Sequence, residues 1–257
     1  MASVNRRTAD MPDRSKEPLP ARVEHRIRAT IELAQRYRAG KEPAPAVPFV
    51  TVSRQYGCEA MEFAHALSEK LAAENRLPPG HWQVYNRQII EAITAEVPLA
   101  ENLIESLDVH ARSGLEEFFQ TLMGSSPPDI EVLKLLARVV RALAHHGNCI
   151  LVGRGGALMT HDLPYGIHVR LVAPESWRLN SLITRFGWDK SRAHSFLHEE
   201  DTNRSQFYRK YLNRDVNDPL LYDIILNVSR INREEQVEAA AALCRKRFPR
   251  LPIEKST

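Results

Sequence analysis

Five short runs rich in Val and Ile, spaced by helical patterns, constrain this chain more than any other feature of its sequence. The runs are PFVTVS (48–53), HWQVYN (81–86), NCILVG (148–153), IHVRLVA (167–173) and YDIILNVS (222–229). Such β-branched runs read as strands buried on both faces, and strands separated by helices pair in parallel through right-handed crossovers. One helix is predicted with Phe63, Ala64, Leu67 and Leu71 on one face, and RQIIEAI opens another at 87. Residues 98–123 read as two short helices broken at Gly114. Ile130, Leu133, Leu136, Val139, Val140 and Leu143 trace a long helix that stops at Gly147, and 233–246 forms the last. The predicted fold class is α/β, a doubly wound five-stranded parallel sheet, with no internal repeat.

Residues 1–20 are polar and aperiodic, so a flexible tail is expected there, as it is for 250–257. Val23, Ile27, Ile31, Leu33 and Ala34 recur at helical spacing, and the helix they predict runs into the Pro-rich linker KEPAPAVP. The segment 21–47 is therefore an extension to a domain spanning 48–249, either a solvated surface helix or a docking element for a protein partner. Composition narrows the function classes. Lys and Arg number 35 against 32 Asp and Glu, a net charge of +3, which argues against a dedicated nucleic-acid binder. No apolar stretch approaches the roughly 18 residues of a membrane helix, and the polar opening segment does not resemble a signal peptide. Three cysteines without a C-x-x-C pair point to a reducing, cytoplasmic setting.

In parallel α/β sheets ligands bind beyond the carboxyl ends of the strands. The residues to inspect are therefore Ser53–Cys58, Asn86–Arg87, Gly153–Gly156 and the basic stretch after Ala173. In VGRGG (152–156) the glycines let backbone approach a ligand, and Arg154 is suited to a bidentate phosphate contact. The same turn also serves as a plain strand-to-helix connection. Arg178 and Arg185 lie two helical turns apart, and RSQFYRKYLNR (204–214) adds Arg204, Arg209, Lys210 and Arg214 among Phe207, Tyr208 and Tyr211. Arginines converging over a cleft are how phosphoryl-transfer sites neutralise developing charge. Protein-only metal ligation finds no support in His145–His146. Adjacent residues face different sides of a helix, and these fit C-terminal-turn positions that complement its dipole.

The order of segments resembles the cytidylate-kinase-like family, a branch of the P-loop nucleoside monophosphate kinases. SRQYG follows the first strand, VYNRQII the second and LVGRGG the third. Then comes D-x-x-R-x-x-x-Y-x-x-Y-x-x-x-D-x-x-D-P-x-x-Y-D, matched by Asp201, Arg204, Tyr208, Tyr211, Asp215, Asp218, Pro219, Tyr222 and Asp223. The resemblance runs from Phe49 to the end of the last helix. It implies a donor-phosphate turn at Ser53, Arg54, Gly57 and Cys58, and an acceptor site at Asn86, Arg87, Arg154 and Gly155. It implies a lid over about 186–201, flanked by the phosphate arginines Arg178, Arg185 and Arg204, with Arg154, Arg185, Arg204 and Asp201 as catalytic candidates. The reaction implied is γ-phosphoryl transfer from ATP to CMP or a related nucleoside monophosphate. Magnesium would arrive with ATP, with no metal held by protein side chains alone.

Two departures fall on the chemistry. The family's Ser-Gly-Gly is Cys58-Glu59-Ala60 here, with Met61 where a basic residue is usual, and Asn86 replaces an aspartate. A carboxylate ~4 Å from a phosphate at an effective dielectric near 20 is repelled by about 4 kcal/mol. That is on the order of a thousandfold in affinity. Glu59 turned outward would avoid it, as a first-turn residue favouring the helix dipole. Three functions remain open on sequence: an active monophosphate kinase, a kinase-like protein that binds a nucleotide or phosphorylated ligand without transfer, and a structural module.

Overall fold

The computed structural model describes residues 19–40, 47–74, 82–107, 113, 130–153 and 155–248. The predicted tails, most of the linker, Gly114 and Arg154 lie outside them. The strands are β1 (Phe49–Arg54), β2 (Gln83–Tyr85), β3 (Cys149–Val152), β4 (Gly166–Val172) and β5 (Ile224–Asn227). They form one sheet in the order β2-β3-β1-β4-β5, and every neighbouring pair is parallel. The predicted parallel α/β sheet is present, with β1 at its centre.

Helices cover both faces. On one side α2 (Ala60–Ala73) and α9 (Arg233–Arg247) pack over Val50, Val52, Ile150, Val152, Ile167 and Val169. On the other lie α1 (Ala21–Gly40), α3 (Arg87–Ala95), α4 (Val97–Glu105) and α5 (Ile130–His146). Each fully buried aliphatic side chain contributes roughly 1.5–3 kcal/mol. Val23, Ile27 and Ile31 of α1, spaced four apart, enter this second core, whereas Leu33 faces solvent. The apolar stripe of the N-terminal helix is thus covered by the rest of the chain. Three further α-helices among the described residues are α6 (Gly156–Met159) after β3, α7 (Glu175–Phe186) after β4, and α8 (Lys190–Leu212).

Two local readings need correction. β5 is an edge strand with only Leu226 buried and Ile225 exposed, because no further strand among the described residues covers its outer side. His146 does not complement a helix dipole as a cation. Burial pushes its pKa down to about 4, and its Nε2 lies 2.8 Å from Ser106 Oγ.

The central strands carry a polar row on one face. Thr51 Oγ1 lies 2.8 Å from His168 Nδ1, and Ser53 pairs in register with Arg170, whose Nη1 donates to Ser53 Oγ at 3.1 Å. Strand alternation sends Val50 and Val52 to the opposite, apolar face. This polar row leads to the carboxyl end of β1.

Candidate phosphate site

The turn after β1 is built tightly. Gln55 N continues the ladder to Leu171 O, and Cys58 N closes on Gln55 O. Gly57 has φ 87°, and a Cβ there would lie 3.0 Å from both Cβ and O of Arg178, so only glycine fits. Cys58 is buried in the apolar core, and burial pushes its thiol up to about 12, so it is not a reactive group. Glu59 sits at the N-cap of α2 with φ 52°, left-handed backbone, and makes no side-chain cap. Its carboxylate instead accepts from Ser181 Oγ at 2.8 Å and pairs with Arg233 Nη2 at 2.8 Å. The repulsion expected from sequence is therefore offset by a guanidinium 174 residues away.

The segment expected to form a lid packs onto this turn. Gly187, at φ 64°, ends α7, and Asp189 starts α8 by accepting from Arg192 N. Leu179, Leu182, Trp188, Ala193 and Leu197 form a small core that packs on Tyr56 of the turn. Asp201 then reaches back into the turn. Its Oδ1 accepts the backbone N–H of Tyr56 at 2.8 Å, its Oδ2 pairs with Arg178 Nη1 at 2.5 Å, and Arg204 Nη1 donates to Oδ1 at 3.0 Å. Arg178 also donates to the carbonyls of Tyr56 and Ala173. Arg185 pairs with Glu62. All three arginines expected to meet phosphate thus hold carboxylates of the chain itself.

Beside this lies a cavity of about 440 Å³. Ser53, Arg54, Gly153 and Gly155 line its base, Glu200, Arg204, Phe207 and Tyr211 of α8 form a wall, and Arg87 and Lys210 border it. The partly buried Arg54 side chain makes no hydrogen bond or ion pair to any described residue, although the Glu200 charge acts on it favourably. Burial, with the nearby Arg204 charge second, pushes its pKa down to about 10, so it stays cationic at neutral pH. A Cβ on Gly153 would come within 2.3 Å of Arg54 Nη1, so this glycine makes room for the guanidinium. Arg170, 4% exposed, adds a buried cation. Its hydrogen bonds go to neutral groups, Ser53 Oγ, Tyr222 OH and Asn217 Oδ1.

Several expected site residues take other places. Asn86 caps α3, its Oδ1 accepting from Ile89 N at 2.9 Å, and does not line the cavity, whereas Arg87 does. Asp223 is structural: it accepts from His168 N at 2.7 Å and pairs with Arg247. Asp218 makes a turn, accepting from Leu220 N. Sequence reasoning passed over Arg170, although an arginine inside an apolar strand run is itself a signal. It also passed over the His-x3-His spacing of His194 and His198, in favour of His145–His146.

A parallel sheet with a cationic cavity at its strand ends, bordered by α8, defines a doubly wound α/β architecture with a candidate ligand site. The model of the cytidylate kinase-like family matches residues 49–230, and the chain belongs to that family. A search among curated proteins finds no match. Among solved structures, an uncharacterized protein from Eubacterium ventriosum ATCC 27560 is similar in fold. The TM-score is 0.58 at 15% identity, covering 78% of this chain and 99% of that one. A shikimate kinase from Bacteroides thetaiotaomicron superposes less closely, with a TM-score of 0.39 at 12% identity, covering 77% of this chain and 96% of that one. Among the described residues no helix is long and apolar enough to cross a membrane.

Proposed function

We propose that this chain binds a phosphorylated ligand of the nucleoside monophosphate class, with the phosphate held by Arg54 and Arg204 above Ser53 and Gly153. The single observation that carries the reading is Arg54, a partly buried guanidinium with no hydrogen-bond partner among the described residues, facing a cavity large enough for such a ligand. A partly desolvated charge without a hydrogen-bond partner carries a cost, and an anionic ligand offsets it. Phe207 and Tyr211, 5.5 Å apart on the cavity wall, offer aromatic surface for a base. Family membership favours a nucleotide over other phosphates.

A second reading, phosphoryl transfer from magnesium ATP to that monophosphate, is favoured by the α2 N-terminus, which no side chain caps. As arranged, the turn does not fit a triphosphate with its metal. Asp201 holds the Tyr56 amide, and Met61 and Glu62 stand where a P-loop has Lys and Ser or Thr. Transfer therefore requires Asp201 to leave the turn first.

The deciding experiment titrates CMP and other nucleoside monophosphates by calorimetry, then adds magnesium ATP and follows ADP. Ligand at a hundred times its dissociation constant adds about 2.7 kcal/mol of stability. Binding without ADP formation supports the first reading alone, and ADP formed in proportion to CMP supports the second as well. Failure of every monophosphate to bind overturns both.

A further inference from the structure

We infer that Glu175, His194 and His198 form a binding site for a single zinc-class divalent transition ion, distinct from the phosphate cavity. His194 and His198 lie one turn apart on α8, so both imidazoles project from the same helix face. Glu175 is the first residue of α7, which packs beside α8. The Nε2 atoms of the two histidines are 3.2 Å apart, and Glu175 Oε1 lies 3.6 Å from His194 Nε2 and 3.4 Å from His198 Nε2.

Those three edges select the ligand. Three donor atoms at tetrahedral angles around zinc, with bonds of about 2.0–2.1 Å, stand about 3.3–3.4 Å from one another. The observed triangle spans that value, so one ion reaches all three atoms with little rearrangement. Two imidazoles and one carboxylate are the donor set of three-ligand zinc sites, which leave a fourth position for water. Nitrogen donors disfavour magnesium and calcium, which take oxygen ligands. All three side chains are about half exposed, so an ion has an open path of entry. No residue lining the phosphate cavity belongs to the cluster.

Its position gives the site a consequence. Glu175 precedes Arg178 by one helical turn, and His198 precedes Asp201 by one turn. The ion therefore ties together the same two helices that the Arg178–Asp201 pair ties at the phosphate turn. Bound metal stiffens the lid pair without touching the turn itself.

The test uses the untagged full chain, stripped with a chelator and titrated calorimetrically with zinc chloride, then with magnesium chloride. One equivalent of zinc is expected to bind and to raise the thermal midpoint, with no response to magnesium. His194→Ala and His198→Ala should each weaken zinc binding at least tenfold, and Glu175→Gln should weaken it less. Circular dichroism and inorganic phosphate binding serve as folding controls, since all three positions are on the surface. Replacing zinc by cobalt should give the visible absorption of a four-coordinate ion, lost in the double histidine variant. Zinc uptake that persists in that variant, or that is absent at micromolar metal, overturns the inference. So does uptake of several equivalents unaffected by these substitutions.

Discussion

Asp201 places a carboxylate oxygen 2.8 Å from the backbone nitrogen of Tyr56, in the turn after β1. The chain thus supplies its own anion to the Tyr56 amide, the group that a donor phosphate would need under the proposed transfer reading. The same carboxylate bridges Arg178 and Arg204, and Arg204 also lines the neighbouring cavity. Release of Asp201 therefore changes both regions together. It frees one amide in the turn and raises the positive charge beside Arg54.

Asp201→Asn keeps the shape and an acceptor oxygen but removes the charge. ATP should then bind at least about tenfold more tightly, a gain of ~1.4 kcal/mol, read by calorimetry. The buried Arg178 loses its charged partner, so stability should fall by about 1–3 kcal/mol in urea unfolding. An ATP affinity equal to that of the unaltered chain would show that Asp201 does not compete for the turn.

Glu59 combines a backbone penalty with side-chain gains, and two variants separate them. Glu59→Ala loses the bonds to Ser181 and Arg233 yet keeps a Cβ at φ 52°. Glu59→Gly loses the same bonds and removes the left-handed penalty of about 1–2 kcal/mol, partly offset by the chain entropy of glycine. The glycine variant should be more stable than the alanine variant by about 1 kcal/mol in chemical denaturation. Equal stabilities would mean that the strain at this position is already relaxed.

The sheet was legible because β1, β3 and β4 are buried on both faces, which leaves uninterrupted Val and Ile runs in the sequence. β5 misled because an edge strand with an apolar composition looks like an interior one. At the site, local chemistry was readable and pairing was not. Asn86 suits a ligand contact and an N-cap equally well, and only the start of α3 decides between them. Glu59 looked hostile to phosphate because Arg233, its partner, lies far along the chain. The His-x3-His spacing was visible, but its third member, Glu175, comes from a neighbouring helix. Arg54 was named from its place in the turn, whereas the lack of a hydrogen-bond partner for its side chain among the described residues emerges only from tertiary packing.

Arg54→Met tests whether a ligand-binding charge is held at the expense of stability. Replacing a partly buried guanidinium that lacks a hydrogen-bond partner by an apolar side chain relieves a desolvation cost; the gain should be smaller than the roughly 1–4 kcal/mol found where whole buried ion pairs are replaced. The variant should unfold at a higher temperature than the unaltered chain without ligand. It should also lose the thermal shift that a nucleoside monophosphate produces. A lower midpoint together with retained ligand binding would contradict the role given to Arg54.

Acid sensitivity should come from two buried histidines. Burial pushes both His146 and His168 from 6.5 down to about 4, so each is neutral in the folded chain at neutral pH. Ser106 Oγ donates its proton to Leu103 O, so His146 Nε2 is the donor in the contact between the two side chains. Between pH 6.5 and 4 the unfolded chain binds protons that the folded chain refuses, so stability rises with pH across that window. Each pH unit between a folded and an unfolded pKa is worth about 1.4 kcal/mol, so each histidine removes on the order of 3 kcal/mol as the medium is acidified across the window. His146→Gln keeps a donor for Ser106 and cannot be protonated, so its unfolding free energy should fall less steeply over the same range. Parallel slopes for the variant and the unaltered chain would assign the acid sensitivity elsewhere.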